Sequence, residues 1–253
     1  MKRVIGIIGG MGSMGKWFQT FFESNGIKVL ISDVATELTN IELSKKSDIV
    51  LISTPIKAAL KITEEIGPHL NENQLLADVC SQKEDIVAMM NSNSKSSVLG
   101  IHPMFGPFSN SIAGHNIIFC EGKGDRHLSF LKSLFTENGA VVSEIAADEH
   151  DKHMAVAQSL THIITITMGK TLKDLGLTPD KITSLSTPIF RINTDIIGRL
   201  FAQDLHLYST LVGDNKYFKE TLDLFLNNLS NASDVLCNDH ENRVAYLENI
   251  KSF

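Results

Sequence analysis

At 253 residues, with 43% hydrophobic and 21% charged content, the chain can bury one large core or two smaller ones and is far from a disordered composition. A formal net charge of -6 without a basic stripe excludes nucleic acid as the main partner, although a local arginine can still hold a small anion. No apolar run approaches the roughly 20 residues of a membrane span, and the three scattered cysteines, Cys80, Cys120 and Cys237, lack metal-ligand spacing and suit a reducing compartment.

Taken in order, the first half alternates short β-rich runs with helical stretches. Val4 to Ile8 reads as a strand, Lys16 to Ser24 as a helix and Lys28 to Ser32 as a second strand. Asp48 to Ser53 is a nearly continuous apolar run, as expected of a strand covered on both faces. Leu75 to Val79, Ser97 to Ile101, Asn116 to Cys120 and Ala140 to Glu144 continue the series, with helix-like segments such as Ile56 to Gly67 and His127 to Asn138 between strands. This alternation predicts an α/β fold, a Rossmann-like, mostly parallel sheet over residues 1–146. From 147 to 253 the strand signal fades and an all-helical domain is expected. His150 to Leu175 is apolar nearly all round and reads as one buried helix, a second starts at Thr187-Pro188, and Tyr217 to Leu236 forms a third. A helix so apolar in a unit of about 100 residues predicts a homodimer through this half.

Directly after the first strand, Gly10, Gly12 and Gly15 fit G-x-G-x-x-G. The first glycine is expected to permit the tight turn, the second to let backbone approach a pyrophosphate, and the third to let helix and strand pack closely. Met11, Ser13 and Met14 fill the intervening positions, where free N–H groups at the helix start favour negative charge. Asp33 closes the next strand, where a carboxylate accepts from a ribose 2′-OH and repels a 2′-phosphate, so NAD is expected over NADP. Thr54 and Pro55, just beyond the third strand, are further cofactor candidates.

The segment Gly100-Ile101-His102-Pro103-Met104-Phe105-Gly106-Pro107 puts a histidine at the end of a strand, where open α/β sheets bind ligands. Oxidising an alcohol needs a base for the hydroxyl proton, and imidazole suits that at neutral pH. His150 and His153, beside Glu149 and Asp151, read as a charged helix start rather than a metal site, and no metal is expected.

HPMFGP after such a first half resembles the signature of prephenate dehydrogenases. Asp78 to Lys83 (DVCSQK), Glu149 to Asp151 (EHD), Ala157 to His162 (AQSLTH) and Ser186 to Tyr208 are similar to that family's segments and follow its order along the whole chain. The resemblance implies that His102 is the base acting on the C4 hydroxyl of prephenate, with Ser81 helping to hold that hydroxyl and the histidine. It implies that Arg199 grips a substrate carboxylate and that His162 lines the substrate pocket. Lys83, Gln158 and Arg191 also match family positions, the first two as expected substrate contacts. The implied reaction is NAD-dependent oxidative decarboxylation of prephenate to 4-hydroxyphenylpyruvate in tyrosine biosynthesis, in the cytoplasm and without nucleic-acid or membrane partners. Arogenate or an amino-substituted prephenate is the alternative substrate, and an NAD-sensing protein without turnover the non-enzymatic alternative. A hydroxyacid dehydrogenase or imine reductase would leave HPMFGP unexplained. The sequence shows no room for a fused chorismate mutase or regulatory domain, so feedback through an added domain is not expected.

Overall fold

The computed structural model describes residues 3–178, 181–182, 184, 186–203 and 205–251; Asp204, inside the Ser186 to Tyr208 motif, lies outside them. The chain divides into two compact units, Met1–Asp151 and Lys152–Phe253. The division expected after residue 146 falls just before the helix that carries this boundary.

The first unit is built on a seven-stranded sheet. Its strands are β1 (Val4–Ile8), β2 (Lys28–Ser32), β3 (Ile49–Ile52), β4 (Leu75–Asp78), β5 (Ser97–Pro103), β6 (Asn116–Glu121) and β7 (Val141–Glu144), in the order β2-β1-β3-β4-β5-β6-β7. All neighbours are parallel except β5 and β6. The helices are α1 (Ser13–Ser24), α2 (Asn40–Lys46), α3 (Ile56–Ile66), α4 (Glu84–Asn93), α5 (Leu128–Glu137) and α6 (Ala147–Met154). Because side chains alternate across a strand, β3 feeds two cores. Ile49 and Leu51 join Ile5, Ile7, Phe18 and Phe135 on one face, while Val50 and Ile52 join Ile8, Ala59, Ile66 and Met90 on the other. All seven residues of β5 are buried, so its carboxyl end delivers His102 from within the core.

The reversal in strand order beside β1 opens the crevice where such sheets bind ligands. The parallel strands β1, β3, β4 and β5 end at one edge of the sheet. That edge therefore gathers the glycine turn, Thr54-Pro55, the Asp78–Lys83 turn and His102.

The second unit is helical among its described residues. A π-helical segment, Ala155–Leu160, separates α6 from α7 (Thr161–Asp174), so the expected single helix from His150 to Leu175 changes its winding midway. Then come α8 (Pro188–Phe201), capped by Thr187 as expected, α9 (Leu205–Gly213), α10 (Phe218–Leu236) and α11 (His240–Ile250). Ser159 Oγ in the π segment donates to the Leu211 carbonyl at 2.8 Å, which ties that segment to α9. The apolar helices are not buried within one chain: α7, α10 and α11 contain no buried residue. Ile189, Ile192, Leu224 and Leu229 are between 53% and 73% exposed. Among the described residues no helix is long and apolar enough to cross a membrane.

Candidate active site

The glycine turn after β1 differs in detail from its sequence reading. Gly9, not Gly10, carries the left-handed conformation, with φ of 81°. A Cβ on Gly9 would meet the Ser53 carbonyl oxygen at 2.4 Å and the Thr54 methyl at 2.6 Å, so only glycine lets β1 turn against the end of β3. Gly10 instead gives room to Ile31, and Gly15 lets α1 approach the Gly9 carbonyl, whose oxygen would lie 2.3 Å from a Cβ there. A Cβ on Gly12 would meet only the Gly9 oxygen within 4 Å, so its bare face is open. Asp33 braces this turn: Oδ2 accepts from Met11 N at 2.9 Å and Oδ1 from Val34 N at 2.7 Å. Thr54 Oγ1 is buried with no hydrogen-bond partner, and Pro55 precedes α3 as its N-cap.

Around His102 the structure assembles a hydrogen-bonded cluster. Lys83 is fully buried, its Nζ bonded to Asp78 Oδ2 at 2.5 Å and to the Ile101 carbonyl at 3.0 Å. This corrects Lys83 as a substrate contact, because an ammonium enclosed this way is an interior ion-pair partner of β4 and β5. Gly100 makes the arrangement possible, since a Cβ there would meet Lys83 Cδ at 2.8 Å. Burial pushes the Asp78 carboxyl above its usual 3.8, with the Lys83 ammonium the largest opposing influence. Ser81 lies in the same turn, partly exposed.

His102 is only 3% exposed, and its Nδ1 lies 2.8 Å from His150 Nε2. His150 is fully buried, and its Nδ1 lies 2.8 Å from Asp151 Oδ1. The Asp151 carboxylate also accepts from Lys83 N at 2.8 Å and Glu84 N at 2.9 Å, the first amides of α4, where the helix dipole favours negative charge. The charged helix start is present, with Asp148 and Glu149 in the first turn of α6, but His150 and Asp151 on it are buried whereas His153 is exposed. Donor and acceptor accounting assigns the protons. Asp151 already accepts backbone N–H groups, so His150 donates from Nδ1, accepts at Nε2 from His102 Nδ1–H, and leaves the lone pair of His102 on Nε2. Burial holds His102 well below the ordinary histidine value of 6.5, aided by the Lys83 ammonium. The loop after β5 is fixed to α1, where Trp17 Nε1 donates to the Ser109 carbonyl at 2.7 Å and its ring centroid lies 4.8 Å from that of Phe105.

The remaining candidates belong to the second unit. His162 on α7 is half-buried, its ring centroid 4.9 Å from that of Tyr208 on α9. Burial lowers its pKa. Tyr208 also lines a hollow of about 400 Å³ with Ile166, Leu200, Phe201, Leu205 and Val212. Arg199 is exposed in the last turn of α8, directly before Leu200, and Arg191 is exposed in its first turn. Gln158 is half-buried in the π segment.

Residues 23–144 match the family model described as prephenate dehydrogenase, nucleotide-binding domain, and residues 146–249 the one described as prephenate dehydrogenase, dimerization domain. A probable arogenate/prephenate dehydrogenase of Methanocaldococcus jannaschii is 31% identical over 253 residues, covering 92% of this chain and 57% of the relative. A T-protein of Haemophilus influenzae is 34% identical over 208 residues, covering 82% of this chain and 55% of the relative. The chain thus spans just over half the length of these two curated relatives. Among solved structures, prephenate dehydrogenase from A. aeolicus in complex with hydroxyphenyl propionate and NAD+ aligns with a TM-score of 0.77 at 20% identity. The alignment covers 99% of this chain and 96% of that one.

Proposed function

Because the chain belongs to the prephenate dehydrogenase family, we propose that it oxidises prephenate with NAD and releases CO2 and 4-hydroxyphenylpyruvate. The observation that carries this reading is His102, a buried imidazole held uncharged at the end of β5 with its lone pair assigned to Nε2. Such a group can accept the C4 hydroxyl proton at neutral pH. NAD suits the residues present. Gly12 offers an open backbone face, Thr54 Oγ1 lacks a partner inside the protein, and Asp33 stands where ribose hydroxyls are read. The turn from Gly10 to Gly15, with Met11, Ser13 and Met14, would hold the pyrophosphate at the start of α1, flanked by Thr54 and Pro55. When bound, NAD supplies the nicotinamide that takes up the hydride.

The protein's own part is to position groups and move one proton. His102 accepts the hydroxyl proton and Ser81 steadies that hydroxyl. Arg199 clamps a substrate carboxylate as a planar bidentate partner, and His162 and Gln158 line the pocket. Loss of the ring carboxylate then restores aromaticity.

NADH formation followed by absorbance, with prephenate and arogenate in parallel and NAD or NADP as oxidant, tests the assignment. Turnover is expected with prephenate and NAD, slower turnover with NADP, and a narrower gap between cofactors in Asp33→Ser. Turnover with arogenate alone would move the substrate to the amino analogue, which the name of the Methanocaldococcus relative gives beside prephenate. NAD binding without turnover of either substrate would leave the sensor reading.

A cytoplasmic homodimer through the helical unit is part of the same proposal, supported by the exposed isoleucines and leucines of α8 and α10. Light scattering should give twice the 27.9 kDa chain mass. Leu229→Glu should shift the protein to single chains, and a single-chain mass for the unsubstituted protein would reject the dimer.

A further inference from the structure

We propose that His150 and Asp151 form a proton relay that positions His102 and takes over its charge during turnover. This rests on reading His102 as the base. At rest Asp151 orients His150, and His150 Nε2 holds the proton of His102 on Nδ1. When the substrate O–H bond breaks, a new N–H bond forms at His102 Nε2. The Nδ1–H bond of His102 then breaks as its proton passes to His150 Nε2. Two protons have each moved one step, the pair has taken up one proton in all, no electrons are exchanged in the relay, and the positive charge ends on His150 beside the Asp151 carboxylate.

The physical reason is the cost of charging His102 where it stands. It is buried, and the Lys83 ammonium lies in the same cluster, engaged with the carbonyl of the preceding residue. Both features oppose an imidazolium on His102. His150 is equally buried, but its Nδ1 lies 2.8 Å from the Asp151 carboxylate, a counter-charge that His102 lacks on its own ring. Asp151 is itself fixed by the first two amides of α4, so the relay has a rigid anchor. The other titratable groups of the cluster are Asp78 on β4, Cys80 in the following turn and Cys120 on β6, whose thiol burial pushes up to about 12.

The test combines a mutation-free measurement with a mutant cycle. Histidine 15N resonances of the wild-type protein at neutral pH should show His102 protonated on Nδ1 and bare on Nε2, and His150 protonated on Nδ1. A resting His150 carrying both protons, with His102 Nδ1 as acceptor, would overturn the proposal without any variant. His150→Ala should lower kcat about 10- to 100-fold while KM for prephenate changes little, the size found when a partner that orients a ligand or base is removed. His150→Gln should recover part of that loss, because its Oε1 accepts from Nδ1–H yet takes up no proton. In a His102→Asn background, His150→Ala should add almost nothing. An equal loss in both backgrounds would make His150 merely structural. If His102→Asn abolishes turnover and His150→Ala does not, the relay fails and the base stands. If His102→Asn is fully active, the base assignment itself fails.

Discussion

His102→Asn is expected to lower kcat about 10²- to 10⁴-fold, the usual contribution of a positioned general base. Asparagine can keep a hydrogen bond to His150 through its carboxamide but takes no proton from an alcohol. NAD affinity should be unchanged, since the cofactor candidates lie on the turn after β1 and the ends of β2 and β3. Calorimetric titration with NAD then separates loss of chemistry from loss of fold. The pH dependence carries a sign that follows from burial. The active form of His102 is uncharged, so activity is present above its pKa and lost as pH falls through it. Because burial depresses that pKa well below 6.5, the acid limb of kcat/KM should lie well below the ordinary histidine range. An acid limb at or above 6.5 would mean that His102 is solvated in the working protein.

Lys83→Met is expected to destabilise the protein by about 3–5 kcal/mol, because it leaves a buried carboxylate without its counter-charge. Asp78 and Lys83 are both fully enclosed and 2.5 Å apart, so neither can turn to water for compensation. Asp78→Asn in the same chain should recover much of the loss, since an uncharged pair of similar volume removes the uncompensated charge. The deficit of Lys83→Met should also shrink at low pH. A carboxyl whose folded pKa is raised binds its proton more tightly when folded, so its contribution favours the fold below the unfolded value of 3.8. That contribution is lost as pH rises through the folded value. Urea midpoints at several pH values would measure this, and a Lys83→Met variant as stable as the parent would remove Lys83 from any structural role.

Much of the first unit was legible because its signals are local. The run from Lys28 to Asp33 declares a strand and its acidic end, and the glycines after Ile8 declare the turn, although only backbone geometry shows that Gly9 bears the strain. His102 was legible from its place at a strand end. His150 and Asp151 were not, because their significance depends on contacts 48 residues away with His102 and 68 residues away with Lys83. The signal available was the EHD string itself, a histidine and an aspartate adjacent at a helix start that closes the nucleotide-binding half. Lys83 was misplaced for a related reason, since no periodicity marks a lysine as interior. Asp78 at the end of a wholly buried strand was the clue, because an enclosed carboxylate calls for a nearby cation. In the helical unit the all-round apolarity of α7 was read as burial, but the helix contains no buried residue, because apolarity alone does not say what covers it.

The chain has one tryptophan, Trp17, and its indole is hydrogen-bonded to the loop that follows β5, the strand of His102. The same residue sits one turn into α1, the helix that follows the glycine turn. Tryptophan fluorescence therefore has a single source here, and it stands where α1 meets the loop after β5. A change in the contact of Phe105 or Ser109 with that one indole alters its surroundings and would be optically visible in the unlabelled protein.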